Sequence, residues 1–328
     1  LKRKNTSLEQ IQNSFSVGSD GVYIVTNVAL YKFRFNEETK RIELDPKWEP
    51  TYADGELLYE NDRMVKPGHL NNGSGTTPTL VGDDFVAIVD NAPEQVNLVV
   101  FRQEDGKLVS KLPLFEPGKG AVENSVVAYG SHLVVGNTYG YTDPFSENET
   151  AGGIMRFDYD EAKGAYVHAA DWPAVGHFDG KTATPKLSTA NGLLYVYHRD
   201  TEAPGHADWQ LTARDAFNGS LLWRKPIGEW QTHYWPWKSG PAHMPRKLVA
   251  VGGKVYLPSS IRGSIIELDG ATGQQLRTFE PTAAADELII RGKTLLTLSN
   301  DSPPDPAEVE EYRKRRRWWM YDGLHRAY

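Results

Sequence analysis

Residues 213–227, ARDAFNGSLLWRKPI, contain the features that decide the fold. Apolar runs flank Asn218-Gly219, and an Asn-Gly pair between such runs predicts a β-hairpin in which both turn residues have positive φ. Asp215 stands at the start of the turn, where a short carboxylate accepts hydrogen bonds from the backbone. Trp223 follows on the second apolar run. The stretch therefore predicts a strand, a tight turn and a second strand.

A second copy of this hairpin lies at residues 266–279, IELDGATGQQLRTF, with Asp269, Gly273 and Phe279 in the matching places. Two copies of one hairpin indicate a repeat protein. Trp223 stands at a fixed number of residues after the Asn-Gly turn, as expected for a residue that packs repeats together. We therefore expect it to be buried between neighbouring repeats.

Six other segments share one form, an apolar strand, a turn with Gly or Asp, and a second apolar strand. They are residues 14–26, 77–90, 124–137, 184–198, 245–258 and 286–299. Hairpins like the one around Asn218-Gly219 alternate with these six segments. They lie at residues 30–48, 97–114, 153–169, 209–227 and 265–279. Two successive hairpins give four antiparallel strands, which is one blade of a β-propeller.

The predicted fold is therefore an all-β propeller of about six four-stranded antiparallel blades. Seven or eight blades stay open, because the interval from Val22 to Phe85 has room for one more hairpin. We expect the propeller to occupy residues 1–300. Residues 301–328 read as a linker and a C-terminal helix that contains the sequence RKRRRWW, with packing against the body or attachment to a membrane surface as its alternative roles.

Composition excludes several classes of function. Aromatic residues make up 11% of the 328 residues, and 30 Gly with 20 Pro suit short strands joined by tight turns. A net charge of −7 argues against nucleic acid as the main partner. The absence of cysteine excludes disulfides, thiolate metal sites and cysteine nucleophiles. No apolar run approaches the roughly 20 residues that a transmembrane helix needs.

The pattern Ala213-x-Asp215-x-x-Asn218-Gly219-x-x-x-Trp223 resembles the repeat of the PQQ-binding-like, or quinoprotein-type, β-propellers. In that family an Ala, an Asp, a Gly and a Trp recur from blade to blade. The run LVAVGGKVY at residues 248–256 is of the same kind, and the resemblance is closest over about residues 208–298. It implies the fold, while many such propellers bind no quinone. We expect a periplasmic or extracellular location.

Polar segments precede the innermost strand of each predicted blade, and in a propeller these lead-in segments face the central channel. They are residues 12–13, 72–77, 122–125, 181–186, 241–246 and 284–287. A concave mouth with converging polar groups is the first place to expect a ligand. The alternative role of these side chains is to cap strand ends and hold channel water, and the sequence leaves both roles open. The candidate ligand-binding residues at this mouth are Thr77, Glu123, Asn124, Lys186, His243, Arg246 and Asp286.

Two further sets of residues are candidates for chemistry. Glu123 and Asn124, together with Asn13 and Asp286, carry the hard oxygen atoms that calcium prefers. The cations Lys186 and Arg246 favour a polar or anionic small ligand over a bare metal at the same mouth. An aromatic loop at residues 229–238 includes Trp235 and Trp237, which could stack on a sugar, a planar cofactor or an aromatic ligand, or could fix the loop to its blade.

Three functions remain open from the sequence. The first is a scaffold that binds a polar small molecule or a protein partner through the funnel face. The second is a PQQ-dependent sugar or alcohol dehydrogenase. In the alcohol dehydrogenases that the repeat resembles, a Trp and two adjacent cysteines sandwich the quinone, and this chain has no cysteine, although some sugar dehydrogenases of this kind manage without them. The third is a calcium-assisted hydrolase of the lactonase type. PQQ and calcium stay open as cofactors, and the oligomeric state is not indicated.

Overall fold

The computed structural model describes residues 9–11, 13–48, 59–60, 63–64, 66–69, 73–140, 151–170, 172, 184–199, 209–228, 248–258, 264–279 and 287–298. The regular elements in these ranges are antiparallel β-strands, and no helix occurs among them. The prediction of an all-β chain is confirmed. The predicted C-terminal extension at residues 301–328 lies outside the described residues.

Five sheets have four strands each and form blades 1–5. Blade 1 contains β1 (Ser16–Val17), β2 (Val22–Val25), β3 (Leu30–Asn36) and β4 (Arg41–Leu44). The short strands β5 (Tyr59–Glu60) and β6 (Arg63–Met64) form a separate pair. Blade 2 contains β7 (Thr79–Val81), β8 (Phe85–Val89), β9 (Asn97–Arg102) and β10 (Leu108–Pro113). Blade 3 contains β11 (Val127–Tyr129), β12 (His132–Gly136), β13 (Ile154–Asp160) and β14 (Ala165–His168).

The remaining strands follow the same scheme. Blade 4 contains β15 (Lys186–Ser188), β16 (Leu193–Arg199), β17 (Trp209–Asp215) and β18 (Leu221–Gly228). Blade 5 contains β19 (Val249–Val251), β20 (Lys254–Pro258), β21 (Ile265–Asp269) and β22 (Gln275–Phe279). A sixth hairpin contains β23 (Glu287–Arg291) and β24 (Thr294–Leu298).

The strands of every blade pair with their neighbours in chain order, as propeller blades do. All six predicted inner hairpins and all five predicted second hairpins form. Residues 77–90 and 124–137 lie in two different sheets, which the propeller prediction required. The room between Val22 and Phe85 holds the β5–β6 pair of two-residue strands and, within the described residues, no further four-stranded sheet.

The chain divides into two compact units, one with blades 1–3 and the other with blades 4 and 5 and the sixth hairpin. In the first unit, one apolar core joins blades 1 and 2 through residues such as Tyr23 and Ile88, and another joins blades 2 and 3 through Leu98 and Phe157. In the second unit, a core that includes Tyr195 and Val255 joins blades 4 and 5. Within each unit, successive blades therefore pack face to face.

The turns between the third and fourth strands of blades 1–5 share one geometry. Each has one residue in the left-handed region, and these are Lys40, Gly106, Gly164, Gly219 and Gly273, with φ between 55° and 73°. The prediction that Asp215 accepts hydrogen bonds in this turn is confirmed, because its Oδ1 accepts from the backbone N of Phe217 at 2.7 Å and of Asn218 at 3.0 Å.

The expectation of positive φ at both Asn218 and Gly219 is wrong, because only Gly219 has it. The backbone N of Gly219 donates to the carbonyl of Asp215 at 2.9 Å, and the N of Asp215 donates to the carbonyl of Ser220 at 3.0 Å. Four residues therefore separate Asp215 from Ser220, and this longer turn needs one left-handed residue where a two-residue hairpin turn needs two.

Trp223 connects blade 4 to the outer turn of blade 5. Its indole Nε1 donates to the carbonyl of Gly270 at 3.0 Å, and its ring lies against Gly273. The side chain is half-buried, so the predicted packing place between two blades is confirmed and the burial of Trp223 there is partial. Trp48 of the first unit makes the equivalent contact, because its ring lies against Gly106 in the outer turn of blade 2.

The strand register also corrects the proposed counterpart of Trp223. Trp223 pairs with Ala213, and the residue that pairs in the same way with Glu267 in blade 5 is Arg277. Phe279, which the sequence comparison put in the matching place, lies two residues further along the strand.

Candidate functional site

In the first unit, three asparagines occupy the same place in successive blades and fix the lead-in segments. Each ends a Val-x-Asn triplet that begins within the second strand of its blade, and the three are Asn27, Asn91 and Asn137. Asn27 Oδ1 accepts from the backbone N of Gln10 at 2.8 Å, and Asn137 Oδ1 accepts from that of Ala121 at 3.1 Å. The sequence analysis missed this set, although the repeated triplet was a signal that could have found it.

Asn91 makes the most complete of these connections. Its side chain is fully buried, its Oδ1 accepts from the backbone N of Val122 at 2.8 Å, and its Nδ2 donates to the carbonyl of Val122 at 2.9 Å. The same Nδ2 lies 3.3 Å from the carbonyl of Gly73. One amide therefore joins the lead-in of blade 2 to that of blade 3.

The backbone at residues 73–75 passes close to neighbouring segments. A Cβ atom on Gly75 would lie 2.6 Å from Glu123 Oε2, and one on Gly73 would lie 2.7 Å from Asn27 Cα. Asn13 Nδ2 donates to the carbonyl of Ser74 at 2.9 Å. The lead-ins of blades 1, 2 and 3 therefore lie side by side, and Glu123 is half-buried among them.

A buried histidine lies beneath the same segments. His69 is fully buried, and its Nε2 donates to the carbonyl of Gly73 at 3.0 Å, while its Nδ1 has no hydrogen-bond partner among the described residues. Burial, with the charge of Lys66 nearby, lowers the pKa of His69 to about 4, against the opposing effect of the bond to Gly73. His69 is therefore neutral at pH 7 and supports the loop.

In the second unit, the inner strands of successive blades line a groove. Its volume is about 470 Å³, and it is lined by Thr184, Lys186, Leu187, Leu248, Val249, Ala250 and Leu288. These residues come from β15, β19 and β23 or from the segments that lead into them. Lys186 is exposed and is the one charged side chain among the described residues of this lining.

The structure describes four of the predicted site residues. Thr77, Glu123 and Asn124 are half-buried in the lead-ins of the first unit, and Lys186 is exposed in the groove of the second unit. The other predicted site residues, His243, Arg246, Asp286, Trp235 and Trp237, lie outside the described residues. Convergence of the full set on one central cavity stays a prediction.

Calcium binding by Glu123 and Asn124 also stays a prediction. Across the described ranges, no group of three Asp, Glu or His side chains is close enough to hold a metal ion. Glu123 and Asn124 both have interactions within the protein.

Comparisons with known proteins agree with this architecture. A europium-containing methanol dehydrogenase superposes with a TM-score of 0.50 at 13% identity, over 85% of this chain and 54% of its own. The dihydro-heme d1 dehydrogenase NirN, in complex with DHE, superposes with a TM-score of 0.52 at 13% identity, over 87% of this chain and 50% of its own. The chain has a β-propeller fold.

A comparison of sequences found one further relative. An uncharacterized protein from Archaeoglobus fulgidus is 24% identical over 259 residues, which are 69% of this chain and 47% of that protein. No family model matches the sequence. The propeller spans about half the length of the proteins it matches. In the residues that the structure describes, no helix is long and apolar enough to cross a membrane.

Proposed function

We propose that this propeller is a binding protein that holds a small polar anion in the groove lined by the inner strands of blades 4 and 5 and the sixth hairpin. The observation that carries the proposal is the exposed ammonium group of Lys186 in a groove whose other described lining side chains are uncharged. A concave, mainly apolar surface with a few placed polar groups is typical of small-molecule sites.

The physical argument concerns the chemistry that the groove offers. Leu187, Leu248 and Leu288 exclude water from part of the lining, so a charge pair with Lys186 is less screened there than on an open surface. The volume of about 470 Å³ suits a metabolite-sized molecule. A carboxylate or phosphate group is the natural partner of a lysine ammonium group.

A quinone-dependent dehydrogenase is the second candidate, and the likeness of the fold to the methanol dehydrogenase supports it. PQQ is a planar quinone that carries several carboxylates and supplies two-electron redox chemistry when bound. Lys186 would suit one of these carboxylates. Separately, Glu123 and Asn124 are adjacent on one lead-in of the first unit and would suit a pair of metal ligands. The chain has no cysteine to cover the quinone. The repeat that carries this resemblance also supports a periplasmic or extracellular location.

The experiment uses the full chain and an anionic metabolite fraction from a cell extract. The wild-type protein, Lys186→Gln and the control Arg291→Gln are incubated with the fraction and desalted, and native mass spectrometry then identifies what each protein retains. Arg291 is an exposed cation of the same unit that does not line the groove.

We expect an anionic species on the wild type and on Arg291→Gln, and at least tenfold less of it on Lys186→Gln. Equal retention by all three proteins, or no retained anion, would refute the proposal. Parallel incubation with PQQ and Ca²⁺ tests the second candidate. Reduction of a dye with an alcohol or sugar as electron donor would favour the dehydrogenase over the binding protein.

A further inference from the structure

Blades 4 and 5 can be compared position by position, because their strands pair in the same register. Leu193 pairs with Asp215 as Lys254 pairs with Asp269. These two aspartates begin the outer turns that share one geometry. Any difference at matched positions is therefore a difference in chemistry and not in strand alignment.

The matched positions of blade 4 form an apolar face. Leu193 is 7% exposed, Ala213 is fully buried, and Trp223 packs against the same core, which also contains residues of blade 5. Side chains on this face meet the next blade, as successive blades in a propeller do.

The same positions of blade 5 carry three charges. Lys254, Glu267 and Arg277 stand where blade 4 has Leu193, Ala213 and Trp223. Their side chains lie on the face of blade 5 that contributes to a cleft with the sixth hairpin. The face that is apolar in blade 4 is therefore ionic in blade 5.

Glu267 holds the two cations of this ionic surface in place. Its side chain is 2% exposed, its Oε1 lies 2.5 Å from Lys254 Nζ, and its Oε2 lies 3.0 Å from Arg277 Nε. The side chains of Lys254 and Arg277 are 38% and 59% exposed. A lysine has three donors and an arginine five, so both keep N–H groups for a further acceptor.

A cleft of about 780 Å³ lies between this face and the sixth hairpin. Tyr256 and Phe279 form an aromatic patch in its wall, with ring centroids 6.5 Å apart, and the guanidinium carbon of Arg277 lies 5.5 Å from the ring centre of Phe279. The sixth hairpin contributes Lys293, which is exposed. The described residues of the lining therefore include three cations and one carboxylate, in a chain with a net charge of −7.

Charged residues on the face of a blade can also be buried against the next blade. In blade 1, Lys32 lies between blades 1 and 2 and is 1% exposed. Its Nζ donates to Asp20 at 2.6 Å and to the carbonyl of Gln103 at 2.7 Å, and it lies 5.7 Å from the ring centre of Tyr23. That ionic interface is closed by blade 2, whereas the one on blade 5 stays open to solvent.

We propose that the cleft between blade 5 and the sixth hairpin binds a planar aromatic anion with acidic groups at its two ends. The ring stacks on Tyr256 and Phe279, one acidic group pairs with Lys254 and Arg277, and the other pairs with Lys293. This site is separate from the groove at Lys186, and neither proposal depends on the other.

The experiment is an isothermal titration of the full chain with naphthalene-2,6-dicarboxylate as the probe. The corresponding uncharged diamide is the ligand control. Lys293→Gln and Arg277→Gln remove cations of the cleft. Arg291→Gln is the matched control, because Arg291 lies on the same hairpin, is exposed and does not line the cleft.

We expect the dicarboxylate to bind with 1:1 stoichiometry and about tenfold weaker to each cleft variant, with no change for Arg291→Gln. Raising the salt concentration should weaken binding, and the diamide should not bind. Three results would overturn the proposal, namely no binding at millimolar concentration, equal binding of the diamide, or equal loss in Arg291→Gln. Lys293 is exposed in a turn, so we expect Lys293→Gln to fold. This variant therefore tests the proposal even if Arg277→Gln does not fold.

Discussion

Replacement of Gly273 by Ala tests the packing of one blade on the turn of the next. Gly273 has φ of +70°, and a Cβ atom there would lie 2.7 Å from Trp223 Cε3 and 2.8 Å from Trp223 Cδ2. Two costs therefore add. The left-handed backbone costs about 1 kcal/mol with a side chain, and the overlap with a large ring costs about 1–3 kcal/mol.

Gly252→Ala separates the two costs. Gly252 lies in the same blade with φ of +57°, and a Cβ atom there would meet no atom within 4 Å. We expect a loss of unfolding free energy of about 1 kcal/mol for Gly252→Ala and of about 2–4 kcal/mol for Gly273→Ala. Urea unfolding followed by fluorescence and circular dichroism measures both changes, with the m-value as a check on cooperativity.

The double variant identifies Trp223 as the cause of the difference. In a Trp223→Ala background the ring is gone, so Gly273→Ala should cost only the backbone part, about 1 kcal/mol. The reasoning is refuted if Gly273→Ala costs the same with and without Trp223, or no more than Gly252→Ala.

Three further predictions concern the first unit. Asn91→Ala should cost about 2–4 kcal/mol in urea unfolding, because it leaves three backbone partners unsatisfied in a buried place; a cost below 1 kcal/mol contradicts this. Unfolded His69 titrates near 6.5 and native His69 near 4, so stability should fall by about 3 kcal/mol as the pH drops from 6.5 to 4. In urea unfolding over the same pH range, the unfolding free energy of His69→Gln should fall by about 3 kcal/mol less than that of the wild type. Lys40→Gly should raise stability by about 0.5–1 kcal/mol, because Lys40 has φ of +55°; an unchanged melting temperature contradicts this.

The strands of the blades and their pairing order could be predicted from the sequence. Alternation of apolar residues and the turn residues predicted every hairpin of the blades, because each is a local element with its own turn chemistry, whereas the β5–β6 pair was not predicted. The chemistry of the outer turn was also visible at Asp215 and Asp269. The φ of Asn218 was predicted wrongly, because the number of residues between the paired strands decides which positions are left-handed.

The sites depend on contacts that a single sequence does not show. The predicted site residues were chosen by their position before an inner strand, and Lys186 proved to lie in a groove between inner strands. The ionic cleft was missed because Arg277 was not recognised as the counterpart of Trp223. That assignment needed the register of β21 and β22. The buried role of Asn91 likewise depends on a partner 31 residues away.

The most direct measurement of the proposed function uses the absence of cysteine from the chain. A Thr184→Cys variant places a single thiol in the inner-strand groove and leaves Lys186 in place. Its rate of alkylation by iodoacetamide is measured with and without the anionic metabolite fraction, beside an Arg291→Cys control on the exposed hairpin. An anion bound at Lys186 should slow alkylation of Cys at position 184 by at least fivefold and leave the control unchanged. Equal rates at position 184 with and without the fraction would contradict binding in this groove.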